Sequence, residues 1–350
     1  MTTLKLDQVS KIFPSTARGG GLTPALRKVS FELKPGEVIS LIGESGSGKT
    51  TIGRILLRLT KPTSGTVTFD GKDITSYSTR GLREYYRNVQ AVFQDPYSSY
   101  NPIYRADRIY DLVRSSYFPR VSDKEWSAKV EGAIDAVALN PGDVLGKYPH
   151  QLSGGQQQRL LIARALLLDV KVLVADEIIS MLDASTRVDV LNLLVKLKRQ
   201  GMAVLFITHD LSLGNYVSDR TIILRHGAIV EMGATEKIFG NPQHEYTRML
   251  LTAVPELHKK WQHAPLAPVG AAAVTGAGAG VISQSGQATA LARASLLDEI
   301  THAEQVVKRD LRAMFGGGRA VASGKSQVAV ALEPPALHEF EPDHLVAEPE

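Results

Sequence analysis

The chain has 350 residues, of which 43% are hydrophobic and 22% are charged, and it contains no cysteine. This composition supports a sizeable folded core and excludes a disordered chain, a disulfide framework and a thiolate metal site. The formal net charge of +4 is too small to indicate a nucleic-acid partner, although it is compatible with a position beside an anionic membrane surface. No secretory segment follows Met1, so we expect a cytoplasmic setting.

The first motif is a glycine-rich loop between a strand and a helix. Short β-like runs alternate with turns over residues 2–75, and the apolar run 38–42 leads into GESGSGKT at residues 43–50. In such a loop the N–H groups point into one concavity, Lys49 adds charge for the phosphates, and Thr50 offers a hydroxyl to Mg²⁺. Apolar residues follow at helical spacing, which completes the context of a nucleotide site. The predicted binding residues are Gly43, Ser45, Gly46, Ser47, Gly48, Lys49, Thr50 and Thr51.

A second motif, LSGGQQQR at residues 152–159, precedes an apolar helical run at 160–168. The free N–H groups and positive end of a helix suit an anion, and glycines permit its close approach. An ordinary helix N-cap would use the same Ser-Gly-Gly-Gln segment, so this motif alone leaves both interpretations open.

The third motif is VLVADE at residues 172–177. Its four apolar residues suit a strand that is buried on both faces of a parallel sheet, and Asp176 falls where such sheets place ligand-contacting groups. Adjacent residues on a strand point to opposite faces, so Asp176 and Glu177 can share a role only if the chain turns there.

The order of these motifs closely resembles the ATP-binding cassette (ABC) ATPases over residues 1 to about 257. The resemblance implies an α/β fold with a P-loop NTPase core of the ABC type. It also implies an N-terminal antiparallel β subdomain, a helical subdomain with the signature over about residues 95–165, and a C-terminal extension. The expected ligands are ATP and Mg²⁺, and the expected activity is ATP hydrolysis.

The resemblance also assigns roles to single residues. Thr50, Gln94 and Asp176 are the implied Mg²⁺ residues, and Gln94 also senses the γ-phosphate and connects to the membrane partner. Glu177 polarises the attacking water and His209 contacts the γ-phosphate, so Glu177, His209 and Gln94 are the implied catalytic residues. A degenerate cassette would lack such groups, and all of them are present.

In the same family the 152–159 motif is the signature, which contacts the γ-phosphate held by a partner subunit. The D-loop, which contains Asp183, lies at the dimer interface. Family members usually have Pro and Ala where this chain has Ile178 and Met181. These two differences put in doubt how the D-loop packs against the partner. The implied interface residues are Ser153, Gly154, Gly155, Gln156 and Asp183.

Phe13 is the implied adenine-stacking residue, because the family uses an aromatic residue from the region before the P-loop. Residues 15–22 insert three glycines after it. A core or edge-strand Phe remains an alternative.

Two further segments, QDPYSSYNP at 94–102 and FGNPQHEYTR at 239–248, resemble the oligopeptide/dipeptide-importer branch, and the second lies outside the expected nucleotide site. The branch implies transmembrane permease subunits, an extracytoplasmic solute-binding protein and a second ABC ATPase subunit, with a heterodimer expected. It places the chain peripherally on the cytoplasmic face of the cell membrane. The resemblance does not decide whether the transported solute is a peptide, an oligosaccharide or a metal.

The alternative is a soluble ABC ATPase that acts on nucleic acid or ribosomes. Such proteins usually carry a long coiled coil, zinc cysteines or two cassettes, and this chain has one cassette with a short helical insert. No apolar run approaches the roughly 18 uninterrupted residues of a spanning helix, which excludes a fused exporter half. We expect no nucleic-acid partner.

Composition changes after residue 257. Residues 258–294, which are rich in Ala and Gly, are predicted to form a flexible linker. Residues 295–315 are predicted to form an amphipathic helix, packed on its own core or docked on a partner. Residues 316–350 are predicted to form a disordered acidic tail, because the last twenty residues hold six acids and no Lys or Arg.

Overall fold

Two β-sheets organise the part of the chain that the computed structural model describes, which comprises residues 4–14, 22–253, 336–341 and 344–347. In the first sheet, β1 alternates buried Leu4 and Leu6 with exposed Lys5 and Asp7, as a half-buried strand does. This antiparallel sheet has the strand order β2-β1-β4-β5 and contains β1 (Leu4–Pro14), β2 (Leu22–Leu33), β4 (Ser64–Phe69) and β5 (Lys72–Asp73). The expected N-terminal antiparallel β subdomain is therefore confirmed.

The second sheet is mixed, and five of its strands are mutually parallel. Its strands are β3 (Val38–Ile42), β6 (Val89–Val92), β7 (Val172–Asp176), β8 (Ala203–Thr208), β9 (Arg220–Arg225), β10 (Ala228–Ala234), β11 (Leu337–Glu341) and β12 (His344–Ala347). They lie in the order β11-β12-β10-β9-β3-β8-β7-β6. Every residue of β3, β7 and β8 is buried, which explains their continuous apolar runs.

Helices cover the parallel strands and form the helical subdomain expected near residues 95–165. The described helices are α1 (Lys49–Leu56), α2 (Thr79–Asn88), α3 (Arg108–Tyr117), α4 (Asp123–Ala136), α5 (Pro141–Val144), α6 (Gly154–Leu166), α7 (Ala184–Arg199), α8 (Leu211–Val217), α9 (Thr235–Gly240) and α10 (Glu245–Thr252). The helical subdomain contains α3 to α6. None of the described helices combines the length and apolar character needed to cross a membrane.

Strand β7 shows how the layers meet. Its side chains alternate between faces, and Val172 and Val174 pack in a cluster with the antiparallel sheet and α1. Leu173 and Ala175 pack in a second cluster with residues of α3, α4 and α6. The strand is therefore held on both faces, which fixes the position of the acids at its end.

The C-terminal residues differ from the predicted disordered tail at 316–350. β12 pairs antiparallel with β10, and β11 pairs with β12. Buried His344 and Ala347, at 1% and 3% exposure, anchor this hairpin. The prediction was wrong here because it counted acids and prolines over twenty residues, whereas a four-residue strand needs only a short apolar run and an open sheet edge. The predicted linker at 258–294 and helix at 295–315 lie outside the described residues.

Candidate active site

The predicted phosphate-binding, Mg²⁺ and catalytic residues come together because they follow neighbouring parallel strands. The glycine-rich loop follows β3, Gln94 follows β6, Asp176 ends β7 and His209 follows β8. Strand β8 pairs in parallel with both β3 and β7, and β7 pairs in parallel with β6. The carboxyl ends of these strands therefore meet at one edge of the sheet, where α/β proteins bind ligands.

Glycines shape the loop after β3. Gly46 and Gly48 have φ angles of 83° and 107°, a left-handed conformation that side chains other than glycine rarely adopt. A Cβ atom on Gly48 would also lie 2.6 Å from the carbonyl oxygen of Ala25. Helix α1 begins directly after this turn at Lys49, so its first N–H groups lack intrahelical partners and suit an anion.

Lys49 lies inside the loop with its ammonium held by backbone carbonyls. Its Nζ atom donates to the carbonyl oxygens of Gly43 at 2.7 Å and Glu44 at 2.8 Å. Burial lowers the pKa of Lys49, and the charges of Glu177 and Asp176 oppose this shift. The ammonium is therefore a buried cation with acidic neighbours, poised for an additional anionic ligand.

Asp176 and Thr50, two of the predicted Mg²⁺ residues, are in contact. The Thr50 hydroxyl lies beside the Asp176 carboxylate, and burial with the nearby charge of Glu177 raises the pKa of Asp176 to about 6. The Asp176 Oδ1 atom is buried and has no hydrogen-bond partner among the described residues. A carboxylate oxygen without a partner, next to a hydroxyl, fits a hard divalent cation.

The chain turns at Glu177, which resolves the question raised by two adjacent acids. Glu177 has a φ angle of 49°, and its N–H donates to the carbonyl oxygen of Ile207 in β8 at 2.9 Å. Its carboxylate Oε1 lies 3.3 Å from Nδ1 of His209, with side-chain exposures of 21% and 63%. A half-buried carboxylate beside an exposed imidazole suits a base next to a phosphate contact.

Ser153 caps helix α6 in a capping box. Its Oγ atom accepts from the Gln156 N–H at 3.2 Å, and the Gln156 side chain accepts from the Ser153 N–H at 2.9 Å. The helix-cap interpretation is thus correct for the local structure, yet the hydroxyl can still donate its own hydrogen. A Cβ on Gly155 would lie 2.5 Å from Cγ2 of Thr186, so close helix packing requires glycine there.

Asp183 is the N-cap of α7. Its carboxylate accepts from the hydroxyls of Ser185 and Thr186 and from the Thr186 N–H, at 2.6 to 2.9 Å. These hydrogen bonds hold the pKa of Asp183 well below its usual range. The Asp-Ala-Ser-Thr sequence is a recognisable cap signal that the motif analysis did not use. Within the described residues, no hydrogen bond joins Asp183 or the signature to the glycine-rich loop of the same chain.

Phe13 and Gln94 are both exposed. Phe13 is 38% exposed, which argues against the core alternative. It lies near the end of β1, where β1 pairs with β2 alone, so the edge-strand alternative remains. Its ring lies 4.9 Å from Nζ of Lys11. Gln94 lies two residues beyond the end of β6, and Gln158 of α6 donates to the carbonyl oxygen of the intervening Phe93 at 3.3 Å.

The structure also adds a residue that the motif analysis placed outside the nucleotide site. Tyr246, in the 239–248 segment, accepts a hydrogen bond from the N–H of Glu44 in the glycine-rich loop at 3.3 Å. The segment was interpreted as lying outside the nucleotide site, and it contacts the backbone of the glycine-rich loop through this one hydroxyl. The two residues are 202 positions apart, and no local pattern connects them.

The sequence matches the ABC transporter family over residues 26–180 and the family described as "Oligopeptide/dipeptide transporter, C-terminal region" over residues 230–278. A putative peptide import ATP-binding protein of Brucella abortus is 45% identical over 232 residues, covering 66% of this chain and 72% of the relative. The glutathione import ATP-binding protein GsiA of Escherichia coli K12 is 46% identical over 233 residues, covering 66% of this chain and 37% of that longer protein.

Solved structures agree with these matches. The ATP-binding cassette MJ0796, in a dimeric post-hydrolysis state bound to ADP and Pi, is 30% identical with a TM-score of 0.59, covering 66% of this chain and 98% of that one. CbiO1 from Clostridium perfringens, part of an ABC transporter complex, is 26% identical with a TM-score of 0.59. The match covers 72% of this chain and 95% of that one. The chain belongs to the ABC ATPases, in their oligopeptide/dipeptide-importer branch, and its activity is ATP hydrolysis.

Proposed function

We propose that the chain is the subunit that couples ATP binding and hydrolysis to the uptake of peptides or related small solutes. The main support is the match to the oligopeptide/dipeptide transporter C-terminal region at 230–278, in a chain that carries a complete set of strand-end catalytic groups. The naming of relatives as peptide and glutathione import ATP-binding proteins supports the same cargo class.

Each residue at the strand ends has its own role in ATP hydrolysis. Lys49 and the loop N–H groups bind the phosphates. Thr50, Asp176 and Gln94 would hold Mg²⁺, which would neutralise charge on the phosphate oxygens. The unpartnered Oδ1 of Asp176 supports this assignment. Glu177 accepts the proton of the attacking water, and His209 contacts the γ-phosphate.

A second ATPase subunit completes each site. Ser153 caps α6, and Gly154, Gly155 and Gln156 form its first turn. No hydrogen bond among the described residues joins them to the glycine-rich loop of their own chain, so a partner's loop is the proposed recipient of their contacts. The dimeric form of MJ0796 supports a closed pair of cassettes. We favour a heterodimer, with Asp183 at the interface and Phe13 stacked on adenine.

Transmembrane permease subunits contact the segment after β6. Several large apolar side chains are exposed along it, which is unusual for a surface that faces only water. They are Phe93, Tyr97, Ile103, Tyr104 and Leu112, at 37%, 55%, 76%, 42% and 57% exposure. The segment also contacts the signature helix, because the Tyr100 hydroxyl donates to the carbonyl oxygen of Gln157 at 2.9 Å. A permease that docks on this surface would therefore act on the signature helix α6 through this contact.

This assignment makes the chain a peripheral subunit on the cytoplasmic face of the cell membrane, within a complex that includes an extracytoplasmic solute-binding protein. Co-purification from detergent-solubilised membranes tests it. We expect recovery of permease subunits, and ATP turnover that rises when binding protein and peptide are added to the reconstituted complex.

The double substitution Ile103→Asp and Leu112→Asp should abolish recovery of the permease, whereas Asp111→Asn on the same helix as Leu112 should not affect it. A wild-type chain that purifies without membrane proteins and is stimulated by nucleic acid or ribosomes would overturn the importer assignment in favour of a soluble ABC ATPase.

A further inference from the structure

Tyr246 reaches the glycine-rich loop from the C-terminal part of the cassette. The residue is 3% exposed, and its ring packs in a core cluster with Ile42 of β3 and Ala347 of β12. Its hydroxyl accepts from the Glu44 N–H at 3.3 Å. The phenol is therefore tied to the backbone of one loop residue.

Glu44 is held on its other side by the residue that supplies the loop's positive charge. Its carbonyl oxygen accepts from Lys49 Nζ at 2.8 Å and from the Ser47 N–H at 3.2 Å. The Tyr246 hydroxyl fixes the N–H of the same residue. A change in the position of Glu44 would therefore move the carbonyl group that holds the Lys49 ammonium.

A buried carboxylate fixes the chain just before Tyr246. Glu231 of β10 is 0% exposed, and it accepts from the N–H groups of Gln243 at 2.9 Å and His244 at 3.1 Å. His244 in turn caps α10, because its Nδ1 accepts from the Tyr246 N–H at 3.0 Å. Glu231 thus fixes the backbone directly before α10, the helix that carries Tyr246.

The C-terminal hairpin completes this arrangement. Nε2 of His344 in β12 lies 2.7 Å from Oε1 of Glu231, and both side chains are at most 1% exposed. A buried carboxylate that loses a hydrogen-bond partner is strongly destabilised. The contacts therefore run without interruption from the hairpin through Glu231 and the turn before α10 to the glycine-rich loop.

We propose that Tyr246 is a positioning residue for ATP binding, and that Glu231 and His344 hold it against Glu44. The proposal rests on ATP use at the glycine-rich loop but is independent of the permease and of the cargo. It gives the importer-type C-terminal region a role inside its own ATP site, in addition to any contact with partners.

The test compares Tyr246→Phe with the wild-type full-length chain. Phenylalanine keeps the ring in its core cluster and removes only the hydroxyl. One neutral hydrogen bond contributes about 0.5–1.5 kcal/mol, so we expect the KM for ATP and the Kd for a fluorescent ATP analogue to rise about two- to tenfold. The kcat should change less than twofold. Tyr216→Phe is the matched control, since the Tyr216 hydroxyl donates to Asn192 on the exposed surface of α7.

Substitutions of His344 provide a second test of the proposal. His344→Ala should raise the KM for ATP in the same direction, and His344→Gln, which keeps an N–H donor, should restore much of the loss. Unchanged KM and Kd in Tyr246→Phe would overturn the proposal, whatever the melting temperature. If only Tyr246→Phe raises KM, the part assigned to the hairpin is wrong. A wild-type chain that neither binds nor hydrolyses ATP would instead contradict the ATP site itself.

Discussion

Glu177 and His209 face each other across neighbouring strands, with 3.3 Å between Oε1 of the carboxylate and Nδ1 of the imidazole. Glu177 follows β7 and His209 follows β8. The carboxylate is the more buried of the two, and the imidazole lies toward solvent. In the function proposed above, this pair is where water attacks the γ-phosphate, so it carries the first prediction.

Glu177→Gln should separate ATP binding from ATP hydrolysis. The amide nearly preserves the shape of the side chain but removes the base, so turnover should fall by roughly 10²- to 10⁴-fold while ATP binding survives. Size-exclusion chromatography with ATP and Mg²⁺ should then show an accumulated dimer that ADP does not support. If the chain works only in a heterodimer, this species will need the other ATPase subunit.

Glu131→Gln, on the exposed surface of α4, is the control and should hydrolyse ATP at the wild-type rate. Parental turnover in Glu177→Gln would mean that another group activates the water, and the role given to this carboxylate would then be wrong.

Asp176→Asn should stabilise the chain in buffer without nucleotide or Mg²⁺. The folded-state pKa of Asp176 is raised to about 6, above the usual value near 3.9, so ionisation of this group opposes folding. The penalty is absent below the unfolded pKa and fully present above the folded pKa. Urea unfolding at pH 8 should show a gain on the order of 1 to 3 kcal/mol, which shrinks as the pH falls below about 6.

The same variant should lose ATP hydrolysis, because the amide is a poorer ligand for a hard cation. Asp111→Asn, an exposed acid of α3, provides the control for general charge effects. A stability difference between Asp176→Asn and wild type that does not depend on pH would contradict this account.

Gly155→Ala should destabilise the cassette, and a second substitution should rescue it. The added methyl would lie 2.5 Å from Cγ2 of Thr186, and Thr186 cannot rotate freely because its hydroxyl donates to Asp183. We expect a loss of about 1–3 kcal/mol by urea unfolding. Thr186→Ser removes the obstructing methyl and keeps the hydroxyl, so the double variant should recover most of the loss.

Gly154→Ala is the neighbouring control, since its Cβ would meet only the Tyr97 hydroxyl, at an ordinary 3.6 Å. Equal stability of Gly154→Ala and Gly155→Ala, or no rescue by Thr186→Ser, would show that close packing at Thr186 is not the reason for glycine at position 155.

Removing residues 336–350 should lower stability, although composition alone predicted a disordered tail there. The deletion takes His344 away from buried Glu231 and exposes the edge of β10. We expect a loss of about 2–4 kcal/mol and increased aggregation through the open edge. Urea unfolding and light scattering measure these effects, with the exposed hairpin substitution Glu339→Gln as the control. An unchanged midpoint in the shortened chain would mean that the hairpin adds nothing to the fold.

The parts of this protein that sequence analysis predicted are those that depend on contiguous residues. The apolar run 38–42 with the following GESGSGKT, and VLVADE, each combine a strand with the groups at its end. The strand–loop–helix of the phosphate site and the position of Asp176 therefore follow from local pattern. The family and fold class followed from the order of such segments. Local pattern also contains the Asp183 cap, because Asp-Ala-Ser-Thr is itself an N-cap sequence.

Other features depend on contacts between residues distant in sequence. Glu44 and Tyr246 are 202 positions apart, and Glu231 and His344 are 113 apart. Neither hydrophobic periodicity nor composition carries information on such pairs, since each residue has an ordinary local context. The turn at Glu177 was similarly hidden, because the left-handed conformation is imposed by the hydrogen bond to Ile207 in the neighbouring strand.

The left-handed backbone at Glu177 means that, at this one position, higher thermostability and ATP turnover call for different residues. A residue with a side chain is strained in this conformation, whereas glycine adopts it without steric cost. Glu177→Gly would therefore relieve the strain while deleting the carboxylate. Screening variants for heat resistance alone would favour inactive chains at this position, and only a screen that also demands ATP turnover would retain the acid.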